Sequence, residues 1–176
     1  MTTSSNPKAF ALIMGLLTGV MITLALLRYV NKNRRLRTEY DEMQKIARGE
    51  AYMYGFYTLI AAEAILGIAK CFGPLPMDPT AEHFLVILIG VTVQAGYSIL
   101  HDAYIGLNTE TTRFKVMMIA IGLFNLFIAI LAWAQGRMIK NGILQAPFVN
   151  FMVFVMCVIL AVIGLVKKSR GKMEDA

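Results

Sequence analysis

Apolar residues along this chain come in long blocks. They show neither the alternation of a half-buried strand nor the single stripe of a soluble helix. Five blocks can be drawn, over residues 9–30, 51–72, 84–107, 114–136 and 148–166. Each approaches or exceeds the ~20 residues that cross a hydrocarbon core ~30 Å thick. Backbone N–H and C=O groups find no water in lipid, and a helix satisfies them within its own segment. The pattern therefore predicts an all-α integral membrane bundle of five transmembrane helices, forming a single transmembrane domain over residues 1–176. The second block is the least uniform, because it holds Glu63 and several tyrosines. "CFGPLPMDPTAEH", with three prolines and a glycine, reads as a loop between the second and third spans.

Between the first two blocks the pattern changes. Leu36, Tyr40, Met43 and Ala47 recur at steps of four, three and four, which marks one face of a helix. Thr38 with Asp41 resembles a capping arrangement, and Asp41 precedes Lys45 by four residues, the favourable order for a helix pair. The segment predicts a short cytoplasmic amphipathic helix over about 36–48, leading into the second span near Gly49.

Composition agrees with a membrane chain. Of the 176 residues, 57% are hydrophobic and 16% charged, against about 25% charged in an ordinary soluble domain. The formal charge of +6 does not point to nucleic acid, since the bases flank apolar spans and no soluble domain remains to present them. Thirteen of the seventeen Lys and Arg fall in 28–48, 113–115 and 167–172, and the other four are Lys8, Lys70, Arg137 and Lys140. The positive-inside rule then places the N-terminus outside and the C-terminus in the cytoplasm of a cell membrane. The first block is too long for a signal-peptide core and lacks an A-x-A site, so it is expected to stay as a span. Cys71 and Cys157 lie far apart, with no CxxC and no histidine beside either, and read as apolar filler.

Polar groups within the blocks carry the candidate chemistry. Counted at 1.5 Å per residue from the cytoplasmic ends of the predicted spans, Glu63 lies ~18 Å deep, Gln94 ~20 Å and Asn125 ~16 Å. The three are expected to form one mid-membrane polar layer. Gln94, Ser98 and His101 share a face of the third span, with Gly90 on the same face to admit another backbone. Ser98, His101, Asp102 and Arg113 make a cytoplasmic-rim cluster, in which Arg113 or Lys115 is the natural partner of Asp102. For the amides and the serine, plain interhelical hydrogen bonding, worth about 0.6 kcal/mol on average, is the favoured role. A carboxylate at the bilayer centre costs about 3 kcal/mol, which leaves Glu63 equally open to a functional role and to a protonated structural one. Tyr52, Glu63, Gly67 and Lys70 share a face of the second span, interrupted by Phe56. Ala11, Gly15, Gly19 and Thr23 form a small-residue packing stripe on the first span.

No nucleophile elbow, HExxH, P-loop or dinucleotide fingerprint is present. His83 and His101, ~27 Å apart along one helix, cannot ligate one haem iron from a single subunit. No catalytic residue, metal or cofactor is expected, and the chain reads as a non-enzyme.

Two stretches carry a resemblance. "DEMQKIARGEAYMYGFYTL" (residues 41–59) is similar to a D-E-x-Q…R-G-x-A-x-x-Y-x-F segment, and "HDAYIGLN" (residues 101–108) to a D-A-Y-x-x-L-N element that ends a later span. Both resemble a family of small multi-pass membrane proteins of Gram-positive, mostly anaerobic bacteria. Met43 and Glu50 stand where that family favours Arg and Lys. The resemblance implies a bacterial cytoplasmic membrane and brings no catalytic residues. The expected partners are the lipid bilayer and either a second copy or another membrane protein. Two readings of function stand side by side: an interaction, sensing or accessory module, and a small proton- or cation-linked transporter or channel with Glu63 as its intramembrane site.

Overall fold

Asp41 starts the first long helix. Its carboxylate accepts the Gln44 backbone N–H at 2.6 Å, and the Gln44 side-chain oxygen accepts the Asp41 N–H at 3.3 Å. This capping box satisfies two of the donors that a helix N-terminus leaves open. From there α1 runs unbroken over Glu42–Cys71. The computed structural model describes residues 39–106 and 111–174, with a few helical positions between 17 and 28. Met1–Thr38 and Glu39–Ala176 are separate compact units. The second unit holds α1, α2 (Pro79–Leu100), α3 (Thr111–Ala134) and α4 (Phe148–Glu174).

Four helices among the described residues are long and apolar enough to cross a membrane: Glu42–Cys71, Pro79–Leu100, Lys115–Ala134 and Phe148–Ser169. They correspond to the last four predicted blocks. Of the first block only those few helical positions are described, and the Ala11, Gly15, Gly19 and Thr23 stripe falls outside the described residues.

The helix boundaries depart from the sequence reading in two places. The described part of the 36–48 segment is not a separate surface helix but the opening turns of α1. Gly49 alone stands at the join, and one glycine costs about 1 kcal/mol in a helix. Ala47, Ala51 and Gly55, buried at steps of four, hold this stretch against its neighbour. The second departure is α2, which begins at Pro79 and ends at Leu100, where the apolar block suggested 84 and 107. Asp78 caps it, accepting the Thr80 N–H at 2.9 Å, and Pro79 at the first helical position has no N–H to leave unsatisfied.

The other end of α2 closes in a Schellman turn. Ala103 N–H donates to the Ser98 carbonyl at 2.8 Å and Asp102 N–H to the Ile99 carbonyl at 3.3 Å, with Asp102 at φ 55°. That left-handed conformation, which usually falls to glycine, stops the helix although apolar residues continue beyond it.

Packing sets the helices in the order α1–α2–α4–α3: α1 lies on α2, α2 on α4, and α4 on α3. Small residues line each seam. A methyl group added at Gly55 would fall 2.7 Å from the Gln94 Cβ, and one added at Gly90 would fall 3.1 Å from the Gly55 carbonyl oxygen. Gly96 faces Ile163, and Gly122 faces Cys157. Lipid tails are as apolar as leucine, so helices in a bilayer gain by close approach of this kind rather than by burying large side chains. The large ones point outward: Phe56, Tyr57, Ile65, Phe124, Phe127 and Trp133 are all exposed.

Lys45, Lys115, Lys167 and Lys168 lie toward one end of the helix row, here termed the basic end. At the opposite, hairpin end, β1 (Ile139–Lys140) and β2 (Ile143–Leu144) pair antiparallel. They flank Asn141-Gly142, both at positive φ, the two-residue turn whose twist suits a hairpin. Leu144 joins the hairpin to the proline-rich loop: its N–H donates to the Pro76 carbonyl at 2.9 Å, and its carbonyl accepts the Asp78 N–H at 2.7 Å.

Candidate functional site at the basic end

A helix C-terminus leaves its last carbonyls without intrahelical donors. At the end of α2 these carbonyls draw donors from both flanking helices. Gln44 of α1 donates its side-chain amide to the Asp102 carbonyl at 2.7 Å. Arg48 of α1 reaches the Ala103 carbonyl at 3.4 Å. Lys167 of α4 donates to the Ile99 carbonyl at 2.8 Å and pairs with the Asp102 carboxylate at 2.5 Å. A cation at a helix C-terminus also meets the negative end of the helix dipole. Asp102 thus ties three helices together, through its backbone to α1 and through its side chain to α4. This is work a glycine in the same left-handed position could not do.

Arg48 is the centre of the α1 side. Its guanidinium donates to the Tyr40 hydroxyl at 2.6 Å and to the Tyr52 hydroxyl at 3.1 Å. It also lies 4.2 Å from the Tyr40 ring centroid, within cation–π range. A planar fork with five donors in fixed directions spans a carbonyl and two hydroxyls set apart around it, a reach that a compact ammonium lacks. Beside it, the Tyr97 hydroxyl donates to Glu50 Oε2 at 2.5 Å, and the Tyr97 ring stacks on His101 with centroids 4.2 Å apart. Ala103 is fully buried beneath the turn. Burial pushes the neighbouring Tyr104 phenol above its ordinary value.

The residues singled out in the sequence distribute as follows. Ser98 is buried within α2, and His101 and Asp102 lie exposed at the basic end. Among the described residues Asp102 takes Lys167 as its partner, because the early end of α2 brings it beside α4. The Arg113 side chain lies outside the described residues. Gln94 packs its Cβ against Gly55.

Glu63, Gln94 and Asn125 are not brought into one layer. The Asn125 amide donates to the Ile121 carbonyl of its own helix at 2.9 Å, and α3 packs on α4 rather than on α1. Glu63 Oε1 lies 3.3 Å from His83 Nδ1, near the hairpin end, and both side chains are about half exposed, at 50% and 54%. The cause is the pair of shifted helix boundaries. With Ala47 opposite the end of α2, Glu63 is about 24 Å from the basic end and Gln94 only about 9 Å. Lys70, on the same face of α1 as Glu63, pairs at 2.5 Å with Glu82, which is 4% exposed. No group of three or more metal-ligating side chains occurs among the described residues.

Gln44, Arg48 and Lys167 have their roles only in three dimensions. In the sequence Arg48 and Lys167 stand out only as basic residues flanking spans, and Gln44 only as part of the 41–59 motif. The quoted motifs were the available signal: the two segments that carry the resemblance, 41–59 and 101–108, meet here through Gln44, Arg48, Asp102 and Ala103. No protein-family model, curated protein or solved structure matches the chain, so a functional reading stands on this arrangement of side chains.

Proposed function

We propose that the chain is a non-enzymatic interaction, sensing or accessory module of a bacterial cytoplasmic membrane, with the basic end in the cytoplasm. The observation that carries this reading is the junction around Asp102. Its donors and acceptors are spent on joining α1, α2 and α4 into one unit, not directed at a shared point where a substrate could react. Next to it the first turns of α1 expose Met43 and Ile46 between charged neighbours. That combination of a rigid junction and an apolar surface patch suits docking of another membrane-associated protein. Orientation follows from the lysine and arginine bias.

The alternative, a small proton- or cation-linked transporter working through Glu63, draws on the Glu63–His83 pair. Two measurements separate the readings. A photo-crosslinking residue placed at Met43 or Ile46 in native membranes is expected to capture a discrete membrane protein, while one at Phe127 on α3 is not. Purified chain in liposomes is expected to pass protons and monovalent cations no faster than empty vesicles. A flux abolished by Glu63→Gln would replace the module with the transporter.

A further inference from the structure

A carboxylate and an imidazole half exposed on the outer surface of two apolar helices need an explanation. Glu63 and His83 pair across the α1–α2 seam, one or two turns inside the level of Pro79. Around them lie Ile60, Phe84 and Ile87, all exposed apolar side chains. Gly67, one turn along the same face of α1, has open space where a Cβ would stand. Facing lipid, an ionisable side chain in such a position is costly. The pair uses Nδ1 and Oε1, and among the described residues Nε2 of the imidazole and Oε2 of the carboxylate have no hydrogen-bond partner.

We infer that this face is covered by a second copy of the chain, related by a two-fold axis along the membrane normal, with each His83 also pairing with the partner subunit's Glu63. Three observations support a copy rather than another occupant. First, the patch is self-complementary, since it offers one cation-forming and one anionic group. A two-fold operation sets residue i against j and j against i. The two imidazoles and two carboxylates then alternate about the axis, each donor beside an acceptor. Second, Glu63 and His83 already sit at one depth, because they touch. Rotation about the membrane normal preserves depth, so it brings the groups level without tilting either copy. Third, the N-terminal apolar run offers no counter-charge. Between Ala9 and Leu27 its only polar side chains are Thr18 and Thr23. Gly67 permits close approach of the second α1 beside the charged pair. The inference is independent of the junction at the basic end.

The test is oxidative cross-linking of Gly67→Cys in native membranes, in a Cys71→Ser background, with Phe127→Cys as the control. A dimer-sized species is expected for position 67 and not for position 127. Glu63→Leu with His83→Leu is expected to reduce it at least tenfold. The exchanged variant, Glu63→His with His83→Glu, keeps every pair and is expected to restore it. Size-exclusion profiles in detergent check that each variant is folded. Three results would each overturn the inference. In one, a cysteine at Ile13 captures position 67 within a single chain, so that the N-terminal run covers the face. In another, position 67 forms no cross-link and stays open to lipid-soluble thiol reagents. In the third, the dimer is indifferent to the double leucine variant.

Discussion

The two ends of the α1–α2 seam are built on different principles. At the basic end, side-chain donors from α1 and α4 reach backbone carbonyls at the end of α2, Gln44 on Asp102, Arg48 on Ala103 and Lys167 on Ile99, and the side-chain pairs Lys167–Asp102 and Tyr97–Glu50 add to them. At the hairpin end the contacts run from side chain to side chain, Lys70 to Glu82 and Glu63 to His83. A backbone carbonyl cannot rotate away, so contacts of the first kind fix register. Ionisable side chains can exchange partners, so contacts of the second kind stay available to something outside the chain. The Gly55/Gly90 crossing lies between them. The basic end is therefore the structural anchor of the pair, and the hairpin end its adaptable side.

The sharpest way to break this contrast is to remove Arg48. Arg48→Ala leaves the Ala103 carbonyl and the Tyr40 and Tyr52 hydroxyls without their shared donor. Hydrogen bonds to a charged group are worth about 1.5–3 kcal/mol, and stranding a buried partner costs as much again. A loss of about 3 kcal/mol is expected in unfolding from detergent–lipid micelles. Arg48→Lys should recover only part, because a compact ammonium lacks the planar spread of donors that reaches all three acceptors at once. Glu63→Ala should cost the isolated chain less than about 1 kcal/mol, since the one contact it removes is offset by the loss of a carboxylate that is costly toward lipid. Equal losses for Arg48→Ala and Glu63→Ala would erase the distinction between the two ends.

Apolar blocks of span length were enough to locate α1 to α4, because the solvent imposes that pattern on the sequence. Their ends were less legible. Residues beyond Leu100 remain largely apolar, and what stops α2 is a backbone conformation at Asp102 that composition does not display. D-P at Asp78-Pro79 and N-G at Asn141-Gly142 are local signals that do mark a helix start and a hairpin. Depth arithmetic for Glu63 and Gln94 inherited the boundary errors, and so set side by side two groups that the helix register separates. The partners Lys167 and His83 could not be read at all, since pairing across helices depends on the α1–α2–α4–α3 order, which a run of similar apolar blocks does not encode.

A second prediction concerns the crossing that separates the two ends. Gly55→Ala puts a methyl group 2.7 Å from the Gln94 Cβ and 3.1 Å from the Gly90 carbonyl oxygen. Neither neighbour is the loose end of a side chain, so the helices must part. Overpacking of this kind costs about 1–3 kcal/mol, and about 2 kcal/mol is expected here. Gly49→Ala on the same helix meets nothing within 4 Å. It should stabilise by up to about 1 kcal/mol through helix propensity alone. Opposite signs for the two substitutions, measured by unfolding under the same conditions, would establish that Gly55 is held by contact and not by flexibility. A neutral Gly55→Ala would show that the crossing has slack, and the two ends could then move independently.

The smallest effect is expected at Tyr104, on the turn beneath which Ala103 is buried. The phenol is half buried, and desolvation raises its pKa above the ordinary 10.0. Burial disfavours the phenolate, so the folded chain keeps this proton to higher pH than the unfolded chain does. Between the two values the folded state binds more protons, and stability falls as pH rises through them. Below pH 10 the contribution is fully present. Unfolding measured from pH 8 to 11 should therefore show a decline above pH 10 that is shallower in Tyr104→Phe. If Tyr104→Phe and wild type decline in parallel, the turn admits water freely, and the basic end is less closed than its hydrogen bonds imply.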